Sequence, residues 1–211
     1  MEGSCLIISG GDYSELPDSL LRVRYVIACD RGWQYAQKMN IEPDLIVGDF
    51  DSAPQPDSGV PIERFPTRKD DTDTMLAVRH ALDLGYREIA VCCAFGGRLD
   101  HTFSNIQTGA FIAAHGGRAL LIGKDTETYI FSCGQLILPR KDGWSLSVFA
   151  LSDTCEEVTI TGTKYTCEKV ALTNAFPLGV SNTWESDTAN ISVGHGILMV
   201  MCSRLKKGEH I

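Results

Sequence analysis

Two aspartates, Asp49 and Asp51, flank Phe50 at the end of the apolar run "LIVGDFDS". Like charges this close repel one another, and a carboxylate is costly to bury without a partner. If the segment is extended, both carboxylates point to one side of it and the phenyl ring points to the other. Paired carboxylate oxygens suit a hard cation, and Mg²⁺ is the usual choice where phosphates complete its ligands. A solvated turn that caps a helix is the alternative interpretation.

A second acidic cluster, "KDDTDT", precedes a stretch with helical spacing. Asp70 and Asp73 are three residues apart and would share one face of the first helical turn, whereas Asp71 would point elsewhere. Acids at this position also occur simply as caps or as complements to the helix dipole. Lys69 beside them favours a polyphosphate site, because such a site requires a metal cluster and a fixed cation.

The segment "FGGRLDH" combines two glycines with a cation and an acid at a predicted strand-to-helix turn: Gly96, Gly97, Arg98 and Asp100. Glycines let backbone amides approach an anion, and the start of a helix adds partial positive charge. The segment is neither a Walker loop nor a complete GxGxxG motif. We interpret His101 as an ordinary residue of a helix start, and "SGGD" (residues 9–12) as a weaker signal still.

The elements that would position these groups alternate between short β-rich runs and stretches with helical spacing. The strand candidates are "SCLIIS", "RYVIAC", "DLIVGD", "EIAVCCAF" and "RALLIG", and the helix candidates are "RGWQYAQKMN", "DTDTMLAVRHALDLG" and "LDHTFSNIQTGAFIAAHGG". This alternation predicts parallel strands joined by right-handed crossovers. Ligands bind beyond the carboxyl ends of such strands. We therefore expect four acids on one rim: Asp30, Asp49, Asp51 and Asp100.

Beyond about residue 123 the helical patterns disappear and short strand candidates follow one another: "TYIFS", "GQLILP", "WSLSVFAL", "EEVTITG", "ANISVG" and "GILMVMC". The glycines between them predict turns: Gly134, Gly143, Gly162, Gly194 and Gly196. The predicted fold class is therefore α/β. An N-terminal doubly wound parallel sheet (residues 1–123) would be followed by a C-terminal antiparallel β-sandwich (residues 124–211).

The composition excludes several classes of partner. The net charge is −8 and no basic face is evident, so we expect no binding to nucleic acid. No apolar run is long enough to cross a membrane and the N-terminus does not resemble a signal peptide, so we expect a cytoplasmic protein. The eight cysteines form no CxxC pair and the five histidines are scattered, which favours reduced, mostly buried thiols over zinc or disulfides.

In this order and at these intervals, the motifs resemble those of the thiamine pyrophosphokinases. The match runs through "ACDRGW", "PDLIVGDFDS", "KDDTDT", "GGRLDHTFSNI", "GTKY" and "GVSNTW". It covers most of the chain, and the set of motifs is specific. One departure is Arg31, where the family favours glycine.

The resemblance implies Mg²⁺-dependent transfer of a diphosphate from ATP to the hydroxyethyl oxygen of thiamine, giving thiamine diphosphate and AMP. It also implies a homodimer whose active sites lie between subunits. By position, the metal-binding acids are Asp49, Asp51 and Asp73. The residues that match the family's nucleotide and diphosphate site are Asp30, Asp70, Thr72, Arg98 and Asp100. From their residue types, we add Lys69, Gly96 and Gly97 to this site. The thiamine side would include Ser181 and Asn182, with Tyr165 where the family often has an aromatic residue.

The chemistry of these residue types agrees with that reaction. Negative charge develops on the transferred group and on the departing AMP, and a metal together with Lys69 and Arg98 would absorb it. Thiamine carries a permanent positive charge, which suits an acidic cleft with an aromatic wall. Asp100 is a candidate for the base that accepts the proton of the alcohol, and catalysis by positioning and electrostatics without a strong base is the alternative.

Two other functions fit parts of the pattern. Phosphohydrolases of the haloacid dehalogenase type use an Asp-x-Asp pair as nucleophile and general acid, but their pair follows the first strand, whereas at least two strand-like runs precede Asp49 here. The third possibility is a sensor that binds ATP and Mg²⁺ but transfers nothing. Formation of AMP from ATP, Mg²⁺ and thiamine separates the transferase from both.

Overall fold

The computed structural model describes residues 3–20, 23–48, 59–64, 71–206 and 208–209. Two compact units divide the chain, residues 1–124 and residues 125–211. This division falls one residue beyond the boundary expected from the sequence, and the separate roles expected of the two units stay predictions. No helix in the described ranges is long and apolar enough to cross a membrane.

The first unit is an α/β unit, in which strands and helices alternate along the chain. Its strands are β1 (Ser4–Ile8), β2 (Tyr25–Cys29), β3 (Leu45–Gly48), β4 (Ile62–Arg64), β5 (Glu88–Cys92) and β6 (Arg118–Gly123). Its α-helices are α1 (Gly32–Lys38), α2 (Asp73–Asp83) and α3 (Leu99–Ala114), and a short 3-10 helix covers Asp18–Leu20. The five predicted strands and three predicted helices of this part of the chain are thus confirmed.

The strands of this unit pair in the order β6–β5–β1–β2–β3–β4, and every pairing is parallel, as predicted. All residues of β1 are buried, which fits a central parallel strand covered on both faces. Strand β4 was not predicted, because it is only three residues long and two of them are exposed.

The helices bury small and apolar side chains, as their spacing predicts. Helix α2 buries one face, formed by Thr74, Ala77, Val78, Ala81 and Leu82. It ends at the predicted stop, where Gly85 has a φ of +90°.

The thiols predicted to lie inside strand-like runs are buried, namely Cys5, Cys29, Cys92, Cys93 and Cys202, and all eight cysteines are free.

The second unit is built from antiparallel strands. These are β7 (Thr126–Pro139), β8 (Trp144–Ala150), β9 (Thr154–Thr161), β10 (Cys167–Thr173), β11 (Gly179–Asn182) and β12 (Thr188–Arg204). Strand β12 pairs with β7 along nearly its whole length. Its first half also pairs with β9 and its second half with β8, which in turn pairs with β11.

Two expectations about this unit were wrong. "TYIFS" and "GQLILP" belong to the single strand β7, and "ANISVG" and "GILMVMC" to the single strand β12. The glycines between them, Gly134, Gly194 and Gly196, lie within strands at a break in register rather than in turns. Positive φ angles at Cys133, Gly134 and Gly196 mark this irregularity, which resembles a β-bulge.

The hydrophobic core of the second unit contains side chains from both halves of the long strands β7 and β12. Leu138 and Ile191 come from one half, and Phe131 and Leu198 from the other, and all four belong to one buried cluster. A sheet whose strands bend at a bulge can bury both halves in one core. The bulge therefore explains how so few residues enclose a hydrophobic core.

Candidate active site

A cavity of about 530 Å³ opens in the first unit where the order of the strands reverses, between β1 and β5. This is the usual position of a ligand site in an open parallel sheet, and the volume is typical of small-molecule sites. Six residues predicted to form the site line it: Asp30, Thr72, Asp73, Gly96, Gly97 and Arg98. The structure therefore brings together residues that lie far apart in the sequence.

The loop after β1 forms one wall of the cavity. Its backbone is fastened to the strand beside it, because the amide of Gly11 donates to the Cys93 carbonyl at 3.0 Å and that of Asp12 donates to the Phe95 carbonyl at 2.8 Å. The hydroxyl of Tyr35, a residue of α1, donates to the Gly11 carbonyl at 2.9 Å. These bonds fix the loop, so that its polar groups face the cavity in a defined arrangement.

Asp30 enters the cavity from the end of β2. Its amide donates to the Val47 carbonyl at 2.9 Å, and its φ is +43°, an unusual value for a residue other than glycine. Cys93, at the end of β5, has a φ of +55°. Strained backbone of this kind concentrates at functional sites, so the two strand ends that flank the cavity support its assignment as a candidate active site.

The first turn of α2 presents Asp73 to the cavity. Thr72 caps this helix, because its Oγ1 accepts a hydrogen bond from the Met75 amide at 3.2 Å. The buried hydroxyls of Thr74 and Ser9 form a hydrogen bond of 3.0 Å that ties the helix to the loop after β1. Asp71 points away from this site as predicted, since it forms an ion pair of 2.9 Å with Arg79.

Arg98 and Asp100, at the start of α3, form a two-pronged ion pair. The Nε of Arg98 donates to Asp100 Oδ1 at 3.1 Å and its Nη2 donates to Oδ2. The hydrogen bond from Arg98 lowers the pKa of Asp100 below its usual value, and the amide of His101 contributes in the same direction. Arg98 lines the cavity, whereas Asp100 binds Arg98 beside it. A carboxylate with a lowered pKa is a weaker base, so the arrangement favours Asp100 as the residue that orients Arg98.

Four predicted residues lie outside the described residues: Asp49, Asp51, Lys69 and Asp70. Among the residues that the structure describes, no three or more His, Cys, Asp or Glu side chains form a group that would hold a metal ion. The proposed metal set has only Asp73 inside the described ranges, so this set stays a prediction.

The three residues predicted to meet thiamine lie together in the second unit. The buried Asn182 amide donates to the Tyr165 carbonyl at 2.7 Å and accepts from the Tyr165 amide at 3.0 Å. It also donates to Thr163 Oγ1 at 3.1 Å and accepts from the Thr183 amide at 3.0 Å. The amide of Asn182 is thus fully engaged inside the protein, while the Tyr165 ring beside it is 60% exposed. The adjacent Ser181 is exposed and has a φ of +59°.

Several residues that line the cavity were not predicted as site residues. Those with ionisable or amide side chains include Asp12, Arg31, His101 and Asn105, and the Asn105 amide donates to the Ala94 carbonyl at 2.7 Å to hold α3 against the end of β5. The carboxylate of Asp12 lies against Gly96, because a Cβ on that glycine would come within 2.1 Å of Asp12 Oδ2. The signal for Asp12 was its place in "SGGD" directly after a strand, which is the same signal that predicted Asp30.

The chain is similar to several known proteins. The family model "Thiamin pyrophosphokinase, catalytic domain" matches residues 17–119, and "Thiamin pyrophosphokinase, vitamin B1 binding domain" matches residues 135–198. The thiamine pyrophosphokinase of Bacillus subtilis (strain 168) is 26% identical over 210 residues, which cover 93% of this chain and 97% of that protein.

Two solved structures show the same likeness in three dimensions. A crystal structure of thiamine pyrophosphokinase from Bacillus subtilis has a TM-score of 0.84 at 25% identity and covers 95% of this chain and 99% of its own. A thiamin pyrophosphokinase from Geobacillus thermodenitrificans has a TM-score of 0.81, also at 25% identity, with coverage of 95% and 97%. Both matches extend over the two units described above.

Proposed function

Because this chain belongs to the thiamin pyrophosphokinase family, we propose that it transfers the terminal diphosphate of ATP to the hydroxyethyl oxygen of thiamine. The products are thiamine diphosphate and AMP. One observation of the site carries the proposal: a cavity at the strand-order reversal gathers acidic and basic side chains from four separate segments, with Asp30, Asp73 and Arg98 among them.

The acids that line the cavity fit a hard divalent cation such as Mg²⁺. Their donors are carboxylate oxygens, which are the ligands that this cation prefers. We propose that Asp73 holds it together with Asp49 and Asp51. When bound, the ion would neutralise charge on the phosphates of ATP. The Asp30 carboxylate lies in the same cavity and adds to its negative potential.

The transfer itself is a substitution at the β-phosphorus. The thiamine oxygen forms a bond to this phosphorus, and the bond from it to the oxygen that bridges to the α-phosphorus breaks, so that AMP departs with the bonding electrons. Arg98 lines the cavity and is oriented by Asp100, and in this proposal its guanidinium stabilises part of the negative charge that develops. The alcohol proton passes to solvent or to a phosphate oxygen, because Asp100 is already hydrogen-bonded to Arg98.

The second unit supplies the thiamine side in this proposal. The exposed ring of Tyr165 offers a face on which the permanently charged thiazolium ring can stack. Asn182 fixes the backbone of Tyr165 from both sides, so the ring stands on a rigid support. Ser181 precedes Asn182 in β11 and is another thiamine contact that the resemblance implies.

The oligomeric state, the location, the co-substrate and the detailed fold of each unit are also proposals. We infer a homodimer in the cytoplasm, with ATP as the co-substrate. The parallel order of the first unit supports a doubly wound sheet, and the shared core of the bent antiparallel strands in the second unit supports a β-sandwich.

Product analysis tests the proposal directly. The purified protein is incubated with ATP, MgCl₂ and thiamine, and the nucleotide products are separated. We expect AMP and thiamine diphosphate in equal amounts, and we expect the Asp51→Asn variant to lose most of this turnover while it keeps the circular dichroism spectrum of the wild type. ADP as the product would indicate transfer of a single phosphate. Phosphate released without thiamine would favour the phosphohydrolase, and saturable ATP binding without AMP would favour the sensor.

A further inference from the structure

The described lining of the cavity carries both acidic and basic side chains. Among the described lining residues, three side chains are acids, Asp12, Asp30 and Asp73, and two are guanidinium groups, Arg31 and Arg98. A nucleotide triphosphate carries several negative charges. Its binding therefore depends on each cation that is able to reach it.

Arg98 is only partly available for this role. Its guanidinium already makes a two-pronged contact with Asp100. The positive charge of Arg98 is thus largely matched within the protein, and its forked donors are directed at a carboxylate. A second guanidinium among the described lining residues would hold the phosphate chain at a further place, in addition to the metal and Lys69.

Arg31 is placed to be that cation. It follows Asp30 directly beyond the carboxyl end of β2, and its side chain lines the same cavity. The root of the side chain passes over Gly10, since a Cβ on that glycine would lie 3.8 Å from Arg31 Cβ. Arg31 is exposed, and among the described residues it has no ion pair. The guanidinium of Arg31 is therefore not committed to an ion pair with any described residue.

We propose that Arg31 is a phosphate-binding residue of this chain, and that its guanidinium contacts the phosphate chain of the bound nucleotide. This inference rests on the proposed function, because it takes ATP as the ligand of the cavity. The planar fork of arginine suits two oxygens of a phosphate group better than a lysine ammonium does.

Nucleotide binding by three variants tests this assignment. Affinity for ATP in the presence of MgCl₂, and for adenosine, is measured by calorimetry without thiamine. Arg31→Ala should weaken ATP binding about tenfold, as expected for loss of one charged hydrogen-bonded contact, and should leave adenosine binding unchanged. Arg31→Lys should recover part of the affinity. Arg24→Ala is the matched control, because Arg24 is an exposed arginine at the opposite end of the same strand.

Two results would overturn the assignment. One is an ATP affinity of Arg31→Ala equal to that of Arg24→Ala, and the other is an equal loss of ATP and adenosine affinity. The measurement needs no turnover, so it is separate from the test of the proposed function. A wild-type protein that binds ATP but forms no AMP would refute the transfer and leave the comparison of Arg31 with Arg24 intact.

Discussion

Gly48 controls the position of the Asp30 carboxylate. A Cβ at residue 48 would lie 2.2 Å from Asp30 Oδ1, so any side chain there would push the carboxylate out of its place. The obstacle is the end of a side chain rather than backbone, so the fold can accommodate the change while the cavity cannot. We expect Gly48→Ala to lower kcat/KM about a hundredfold, the loss that a misplaced side chain in a binding site can cause, with little change in thermal stability.

The control for this prediction is Gly59→Ala, because a Cβ at residue 59 would have no atom of the described residues within 4 Å. A double variant adds a second check. If Gly48→Ala acts by displacing the carboxylate, combining it with Asp30→Ala should cost little more than Asp30→Ala alone. Fully additive losses would show that the methyl group acts elsewhere.

At the scale of elements, the turn that carries Tyr165 depends on one buried amide. Asn182, in β11, makes four hydrogen bonds, and two of them hold the backbone of Tyr165 on either side of its ring. Asn182→Ala would leave buried polar groups unpaired and release the ring. We expect the free energy of unfolding to fall by about 1–3 kcal/mol, and the KM for thiamine to rise while the KM for ATP stays unchanged.

Urea denaturation and steady-state kinetics measure these two effects separately. Asn174→Ala is a suitable control, because Asn174 lies in the same unit and its amide makes an exposed contact with Asp153. A moderate variant, Ser181→Ala, should also weaken the use of thiamine more than it weakens the binding of ATP. Equal effects of Asn182→Ala on both substrates would contradict a separate role for the second unit.

The sequence predicted those elements whose pattern is carried by local residues. The helical spacing of apolar residues predicted α2, and a continuous apolar run predicted β1. Asp30 was predicted as a site residue because ligands bind beyond the carboxyl ends of parallel strands. Strand β10 was missed, because exposed charged residues interrupt its apolar pattern. The breaks within β7 and β12 were taken for turns, since a glycine at a bulge and a glycine in a hairpin look the same in sequence.

The set of residues that line the cavity was harder to predict from the sequence than the helices and strands. Which loop packs against which depends on hydrogen bonds between distant segments, such as the one between Ser9 and Thr74. Local spacing therefore gave no reason to place Asp12 beside Gly96. The engagement of the Asn182 amide inside the protein is likewise a property of the folded turn. The hydrogen bonds of Asn182 to Tyr165 follow from that turn, and the predicted contact of Asn182 with thiamine stays a prediction.

At the scale of the whole molecule, the negative charge of the protein opposes the binding of a negatively charged nucleotide. The net charge of −8 repels a free nucleotide, and the described lining of the cavity contains more acids than bases. Binding of the nucleotide should therefore depend strongly on the divalent ion that accompanies it. The same negative field favours thiamine, which is a cation. One acidic protein can thus accept both substrates, provided that ATP arrives with its metal.

The resemblance also implies that each active site draws on two subunits, and mixing inactive variants tests this. One variant, Asp51→Asn, removes a predicted metal ligand, and a second, Tyr165→Ala combined with Ser181→Ala, removes the predicted thiamine contacts. Each variant alone should be nearly inactive. After unfolding and refolding together in equal amounts, half of the dimers pair one variant with the other, and each of these has one intact site. We expect recovery of about one quarter of wild-type activity, as the statistics of a symmetric dimer require. Refolding each variant alone controls for the procedure, and a mixture without recovered activity would show that each subunit completes its own site.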